Sequence, residues 1–215
     1  MTAPVKVCLV GAGRAGRVHA NSIIRHLPEA RLAAVVDADA TVLERVCDEL
    51  GVEGRFLRLE EALSDGGFEA VVITAPTFAH KQLAVAAAEA GLHVFLEKPM
   101  ALTIQECDAI LQAIDRSGVV LQIGFMRRFD PEFEAAARRI EAGEIGRPMM
   151  IKSLTHGPGL PPPWAQDLKT SNGILAEVNS HDWDTLRWLM DSNPERVYAE
   201  VANFKGDTRG VDTEH

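Results

Sequence analysis

The feature that most restricts the fold of this chain is a glycine pattern that directly follows an apolar run. Val5–Val10 (VKVCLV) is typical of a buried strand, and Gly11, Gly13 and Gly16 then give the spacing G-x-G-x-x-G before a helical stretch. There the first glycine permits a tight turn, the second lets the backbone approach a pyrophosphate, and the third permits close helix–strand packing. A helix N-terminus favours an anion. The pattern therefore predicts a dinucleotide-binding strand–turn–helix unit.

An acidic residue follows the second predicted strand. Asp37 comes directly after Arg31–Val36, about 20 residues past the last glycine, where a carboxylate can accept hydrogen bonds from a ribose diol. Its charge would repel a 2′-phosphate, so the sequence predicts NAD rather than NADP. Arg14 either stacks on the adenine, contacts a phosphate or is a solvated loop arginine, and these interpretations stay open. Asp39 is interpreted as a turn or helix-capping residue.

Short apolar runs alternate with helical stretches through the first half of the chain. Runs without period-two alternation indicate strands buried on both faces, and their alternation with helices predicts a parallel sheet with right-handed crossovers. We therefore predict an α/β, doubly wound Rossmann domain over residues 1–123. Its predicted strands are Val5–Val10, Arg31–Val36, Ala70–Thr74, His93–Leu96 and Val119–Ile123, and its predicted helices are Arg17–Leu27, Ala40–Leu50, Leu59–Leu63, Phe78–Ala90 and Ile104–Ser117.

The pattern changes near Gly124. A helix and a strand that follow a completed parallel sheet indicate a second, α+β domain, here over residues 124–215. Because so few elements would leave strand edges uncovered, we expect this sequence to be part of a longer protein. The predicted elements are a helix Pro131–Ala142, a strand Met149–Leu154, a proline-rich loop His156–Asp167, a helix Asn179–Met190 and a strand Arg196–Phe204.

Composition excludes several classes of protein. Hydrophobic residues make up 47% of the chain and charged residues 25%, which is typical of a globular enzyme. The net charge of -9 argues against a nucleic-acid partner, and the apolar run near the N-terminus is too short for a membrane span. Cys8, Cys47 and Cys107 lie far apart, so neither a disulfide framework nor a metal site is predicted. Unpaired cysteines favour a reducing, cytoplasmic location.

Lys98 is the first candidate for catalysis. It lies in Glu97-Lys98-Pro99, directly after the predicted strand His93–Leu96. Ligands of doubly wound sheets lie outside the carboxyl ends of the strands, so this lysine could hydrogen-bond a substrate oxygen and relay its proton. A lone lysine at a strand end is usually solvated, and only its neighbours make this one specific.

His181 is the second candidate, within the segment EVNSHDWD. Its ordinary pKa near neutrality suits a general base for alcohol oxidation. Glu177 lies four residues earlier and would share a face with it on one helix, where it could bond a substrate hydroxyl or orient the imidazole. Asp182 and Asp184 are interpreted as first-turn acids that the helix dipole favours.

Together these motifs resemble the glucose–fructose oxidoreductase / inositol dehydrogenase (Gfo/Idh/MocA) family, most of all its inositol dehydrogenase branch. The resemblance implies hydride transfer between a CH–OH group of a cyclic polyol or sugar, inositol first, and NAD. It also implies a C-terminal domain with an open, mainly antiparallel sheet, and a homo-oligomer, dimer or tetramer. The segments that carry it are GAGRAGRVHA at 11–20, VVITAPTFAH at 71–80, HVFLEKPMA at 93–101, LQIGFMRRFDP at 121–131, GEIGRP at 143–148 and NGILAEVNSHDWDTLRWL at 172–189.

The resemblance also implies a set of site residues. Lys98 and His181 would be catalytic, and Glu177, Arg127 and Trp164 would bind the substrate. Glu177 departs from the family pattern, because many members have Asp at that position. Residues implied or predicted to bind the cofactor are Gly11, Gly13, Arg14, Ala15, Gly16, Asp37, Thr74, Ala75, Pro76, Thr77, His80, Glu97 and Lys98.

Two other functions fit the same resemblance. One is glycoside hydrolysis with tightly held NAD, which net release of NADH would distinguish from a dehydrogenase. The other is a non-catalytic dinucleotide-binding sensor, against which the presence of both Lys98 and His181 argues.

Overall fold

The structure, a computed structural model, describes residues 3–155 and 161–200. Its contacts divide the chain into two compact units, Met1–Gly124 and Phe125–His215. In the described ranges, no helix is long and apolar enough to cross a membrane.

The first unit contains a six-stranded parallel sheet of order β3-β2-β1-β4-β5-β6. This strand order is that of the Rossmann fold, with the reversal of winding between β1 and β4. The prediction of a doubly wound parallel sheet is confirmed. The strands are β1 Val5–Val10, β2 Ala30–Val36, β3 Gly54–Phe56, β4 Ala70–Ile73, β5 His93–Leu96 and β6 Leu121–Ile123.

Alternate residues of β1 enter two separate cores. Cys8 and Val10 pack into the cluster that includes α4 and α5, whereas Val7 and Leu9 pack into the cluster formed with α1 and α2. Both faces of the sheet are therefore covered, which explains why the strand sequences lack a polar face. The helices are α1 Arg14–His26, α2 Ala40–Leu50, α3 Leu59–Asp65, α4 Thr77–Glu89 and α5 Ile104–Ser117.

Local capping sets the ends of these helices. Asp39 caps α2 by accepting hydrogen bonds from the backbone of its first turn, and Gly51 ends the helix in the left-handed conformation. Helix α5 begins with a capping box between Thr103 and Glu106 and ends at Gly118, again left-handed. Both helices have the bounds that the sequence predicts.

The described part of the second unit is helical. Besides two 3-10 turns, Met126–Phe129 and Pro163–Gln166, its helices are α6 Pro131–Glu141, α7 Leu168–Ser171, α8 Gly173–Glu177 and α9 Ser180–Met190. Asp130 caps α6 and Pro131 occupies its first turn.

Neither of the two strands predicted for the second unit is formed in the residues that the structure describes. The predicted strand Met149–Leu154 is wrong, because this segment has no regular structure and the Met149 and Met150 side chains are 85% and 86% exposed. Residues 196–200 also form no strand, and residues 156–160 and 201–215 lie outside the described part of the chain. The open antiparallel sheet therefore stays a prediction.

Candidate functional site

The turn after β1 depends on two glycines. Gly11 has a φ of +98°, and a Cβ there would lie 2.7 Å from the Ala75 nitrogen. A Cβ on Gly16 would lie 2.0 Å from the Gly11 carbonyl oxygen. The Thr74 hydroxyl donates a hydrogen bond of 2.6 Å to that same carbonyl. Helix α1 and the end of β4 therefore close on the turn as only glycine allows.

The middle of the turn is open. Gly13 is exposed, a Cβ there would meet nothing within 4 Å, and no side chain caps the start of α1. The N–H groups of the first turn of α1, which include those of the exposed Arg14 and Ala15, have no acceptor within the helix. The turn therefore offers the backbone donors and clearance that a pyrophosphate requires.

Asp37 joins the end of β2 to this turn. Its Oδ2 accepts a hydrogen bond of 2.7 Å from the Ala12 backbone N–H, and its Oδ1 accepts one of 2.9 Å from Asp39. Each carboxylate oxygen can accept a second bond, so the carboxylate can shape the turn and still bind a ribose hydroxyl. The residues present thus fit an NAD molecule.

The His80 side chain is buried and contacts the backbone of the two loops that follow β4 and β5. Its ring is 1% exposed, with Nδ1 2.8 Å from the Pro99 carbonyl oxygen and Nε2 2.8 Å from that of Ala75. Burial lowers the pKa of the imidazole, against the opposing effects of the two carbonyls and the Glu97 charge. Both ring nitrogens thus face backbone carbonyls, and the place of His80 near the cofactor stays a prediction. The loop after β4 and the start of α4 consist of Thr74, Ala75, Pro76 and Thr77.

Strand β5 pairs in parallel with β4. Glu97 and Lys98 directly follow β5, so they lie at the carboxyl-end edge of the sheet. Glu97 Oε1 lies 2.7 Å from His19 Nε2 on α1, and Oε2 accepts the Lys98 backbone N–H at 3.1 Å. Burial raises the pKa of Glu97, but the His19 hydrogen bond and charge and the Lys98 charge lower it more, so it lies below its ordinary value. His19 was missed in the sequence analysis, because only its position in GAGRAGRVHA could have marked it.

In the second unit, Asp182 organises a buried polar network. It is 5% exposed, and its carboxylate accepts hydrogen bonds from Arg127 (2.7 Å), Ser153 (2.5 Å), Thr155 (2.8 and 2.9 Å) and Asn179 (2.9 Å). Burial raises its pKa, but these donors, Arg127 first, outweigh burial and lower it to about 2. Asp182 is an acid of the first turn of α9, as predicted, and the structure adds this set of hydrogen bonds, which the sequence did not indicate.

Two neighbouring residues have charged partners that the sequence did not indicate. The Arg127 guanidinium donates to Asp182 and Thr155 and lies 5.4 Å from the Phe133 ring centre. Its binding of substrate stays a prediction. Asp184 forms a paired contact of 2.8–3.1 Å with the Arg128 guanidinium rather than acting only on the helix dipole.

Glu177 and His181 lie on different helices, contrary to the expectation of one shared face. Glu177 is the last residue of α8 and His181 is the second of α9, with a break at Val178 and Asn179. The Asn179 side chain does not cap α9 but donates to Asp182. Trp164 is half-buried in the turn Pro163–Gln166, and its carbonyl accepts a hydrogen bond from the Thr170 hydroxyl.

Comparisons with known proteins agree with this architecture. Residues 5–125 match the model of the Gfo/Idh/MocA oxidoreductase family with NAD-binding Rossmann fold, and residues 133–215 match the C-terminal domain of the same family. The chain is 38% identical over 205 residues to a scyllo-inositol 2-dehydrogenase (NAD(+)) of Bacillus subtilis, covering 95% of this chain and 57% of that one. It is 37% identical to an inositol 2-dehydrogenase of Rhizobium meliloti, covering 92% and 58%.

The chain also matches solved structures of dehydrogenases. A probable dehydrogenase from Thermotoga maritima matches with a TM-score of 0.78 and 30% identity, over 87% of this chain and 55% of that one. Scyllo-inositol dehydrogenase from Lactobacillus casei, with bound NAD(H) and scyllo-inositol, matches with a TM-score of 0.73 and 28% identity, over 87% and 56%. The chain thus spans somewhat more than half the length of these relatives. Both of its parts match one family, and this chain belongs to the Gfo/Idh/MocA family of oxidoreductases.

Proposed function

We propose that the protein is an NAD-dependent dehydrogenase that acts on a CH–OH group of a cyclic polyol, with an inositol as the first candidate substrate. The observation that carries this proposal is that the glycine turn, Asp37 and Lys98 follow the carboxyl ends of β1, β2 and β5, which are parallel strands of one sheet. Ligands of doubly wound sheets bind at this edge. The names of the relatives from Bacillus subtilis and Rhizobium meliloti supply the substrate class.

In the first unit, the proposed roles follow from position. The turn of Gly11, Gly13 and Gly16 would hold the pyrophosphate of NAD, and Asp37 would bind the ribose hydroxyls. The nicotinamide of NAD, when held there, would supply the acceptor for the hydride from the carbon that carries the reacting hydroxyl. Lys98, as an ammonium group, would donate a hydrogen bond to the hydroxyl oxygen and stabilise negative charge that develops on it.

In the second unit, His181 would take the hydroxyl proton as general base. Glu177 would bond a further hydroxyl of the polyol, and Trp164 would offer an apolar face to the ring of the substrate. Arg127 would contribute indirectly, because its bond to Asp182 holds the first turn of α9, which carries His181.

The cellular setting belongs to the same proposal. Three cysteines without disulfide partners fit a reducing cytoplasm. A homo-oligomer, a dimer or tetramer, is proposed for the full protein. Size-exclusion chromatography with light scattering would test the oligomer directly.

The test of the proposed function is NADH formation by the full chain with a panel of inositols, aldoses and glycosides. Steady NADH release with an inositol is expected. Glycoside cleavage without net NADH would instead support the hydrolase, and NAD binding without turnover of any compound would support the sensor.

A further inference from the structure

The His80 ring lies between two backbone carbonyls that belong to two different loops. His80 is a buried residue of α4. Its Nε2 lies 2.8 Å from the Ala75 carbonyl oxygen, in the loop after β4, and its Nδ1 lies 2.8 Å from the Pro99 carbonyl oxygen, in the loop after β5. One side chain therefore contacts both loops at the carboxyl-end edge of the sheet.

These two contacts require two hydrogen-bond donors on one ring. A carbonyl oxygen accepts hydrogen bonds and cannot donate them. Neutral imidazole has one N–H, so it can donate to Ala75 or to Pro99, while its other nitrogen directs a lone pair at the second oxygen. The imidazolium has an N–H on each nitrogen and can donate to both. The contacts of His80 are therefore complete only when the ring carries two protons.

His93, the first residue of β5, has the opposite arrangement. Its Nδ1 accepts a hydrogen bond of 3.0 Å from the Val120 backbone N–H, so this nitrogen holds a lone pair. A proton on that nitrogen would remove the acceptor and break the bond, whereas a second proton on His80 adds a donor. His93 therefore serves as a reference for His80 within the same unit.

Charged and titratable groups occur on each segment around the His80 ring. The negative charge of Glu97 favours the imidazolium, but burial disfavours it more and lowers the pKa of His80 below its ordinary value of 6.5. The ring therefore gains its second proton in mild acid. The groups on these segments are His19 of α1, Glu60 and Glu61 of α3, Lys81 of α4, Glu97 and Lys98 of the loop after β5, and Glu106 and Cys107 of α5.

We propose that His80 is a positioning residue for the loop that carries Lys98, and that its second proton joins this loop to the loop after β4. The neutral ring bonds one of the two loops, and the imidazolium bonds both. Pro99 directly follows Lys98, so a bond to its carbonyl holds the backbone next to the lysine. The effect on turnover rests on the proposed function, but the number of protons on the ring does not.

The experiment counts the protons on the ring by nuclear magnetic resonance of the full chain with isotope-labelled histidine, from mildly alkaline to mildly acidic pH. The two ring nitrogens of neutral imidazole have widely separated chemical shifts, and those of imidazolium have nearly equal ones. We expect His80 to change from the first pattern to the second with a midpoint below pH 6.5. The carbonyl carbon of Ala75 or of Pro99 should shift with the same midpoint, because one of the two gains a hydrogen bond.

Two results of this titration would overturn the inference. One is a His80 ring that keeps a single proton while the other histidines of the folded protein titrate. The other is a ring that titrates without a change at either carbonyl. The internal control is His93, whose titration should change the Val120 amide signal and leave the carbonyls of Ala75 and Pro99 unchanged.

His80→Gln connects the inference to turnover, because the donors of glutamine share one nitrogen and do not titrate. Above the midpoint, wild type and variant each make one bond, and below it only wild type makes two. The ratio of wild-type kcat to variant kcat should therefore rise about threefold as pH falls through the midpoint, as one added hydrogen bond allows. His93→Gln, which keeps an acceptor for Val120, is the matched control and should give a constant ratio.

The outcomes separate this inference from the proposed function. A constant ratio for His80→Gln, in an enzyme that turns over, would contradict the positioning role. If the ring and a carbonyl titrate together but wild type makes no NADH with any polyol, the proton-dependent bond stands and the proposed function fails. The wild-type titration decides the number of protons even if His80→Gln does not fold.

Discussion

The Asp37 carboxylate accepts a hydrogen bond of 2.7 Å from the Ala12 backbone N–H, and so joins the end of β2 to the glycine turn after β1. One side chain thus shapes the turn and, under the proposed function, would also present its negative charge to the ribose of NAD. Loss of the residue therefore has two separable consequences, one for affinity and one for cofactor choice.

Asp37→Ser should reduce kcat/KM for NAD by about tenfold or more, because a hydrogen bond to a charged group contributes about 1.5–3 kcal/mol. It should also narrow the gap between NAD and NADP, since the charge that repels the 2′-phosphate is gone. Steady-state kinetics with both cofactors measures this. Asp39→Asn is the control, because it removes a charge two residues away while Asn still caps α2. Equal use of NADP by the wild type would refute the role of Asp37.

Gly13→Ala should affect NAD affinity, whereas Gly16→Ala should affect the stability of the fold. A methyl group at Gly13 meets nothing within 4 Å, so the variant should keep its thermal stability and lose NAD affinity. A methyl group at Gly16 meets the Gly11 carbonyl at 2.0 Å, so this variant should lose about 2 kcal/mol or more of stability. Thermal unfolding and NAD titration of both variants test the contrast. Unchanged NAD affinity in Gly13→Ala would show that the turn does not hold the cofactor.

Lys98→Ala should lower kcat by about 10²-fold or more, which is the range for groups that take part in proton transfer. NAD affinity should change little, because the glycine turn and Asp37 are untouched. Lys81→Ala, at an exposed position of α4, is the matched control and should behave like wild type. Parallel losses of affinity and turnover would mark Lys98 as a cofactor-binding residue instead.

Asp182 should make the second unit sensitive to acid. Its pKa in the folded protein, about 2, lies below the ordinary 3.8. Because the folded value is depressed, the stabilisation is present above about pH 3.8 and is lost as pH falls through 2. The difference corresponds to about 2 kcal/mol. All three tryptophans, Trp164, Trp183 and Trp188, lie in this unit, so their fluorescence during urea unfolding at several pH values reports it.

Asp182→Asn should lower the free energy of unfolding at neutral pH by about 3 kcal/mol, because it leaves the Arg127 charge without its partner. Asp184→Asn is the comparison. Its partner Arg128 is 42% exposed, so the loss should be smaller. Equal losses in the two variants would contradict the special role of the Asp182 network.

Glu177→Gln should mainly raise KM for the polyol if Glu177 bonds a substrate hydroxyl. If Glu177 orients His181 and favours its charged form, the rising limb of the pH–rate profile should instead move to lower pH. The helix break at Val178 and Asn179 removes the shared face on which the second role was based, so we expect the KM effect. His181→Ala tests the larger point, and retained kcat with an unmoved pH profile would exclude His181 as the base.

Local sequence was sufficient for most of the first unit. The strands β1 and β5 and the helices α2 and α5 have the predicted bounds, because apolar runs, caps and glycines mark them locally. Strand β3 was missed, since Gly54–Phe56 is short and becomes a strand only by pairing with β2. The opposite error occurred at Met149–Leu154, where an apolar run suggested a strand that has no pairing in the described residues.

The sequence by itself determined the doubly wound sheet, the glycine turn, the acid at the end of β2 and the lysine after β5. Each depends on residues close together in the chain. Only the tertiary structure decided the partners of the charged groups: His19 with Glu97, 78 positions apart, and Arg127 with Asp182, 55 apart. Local patterns show that a side chain is charged but not which distant group it meets, because that depends on how strands and helices pack.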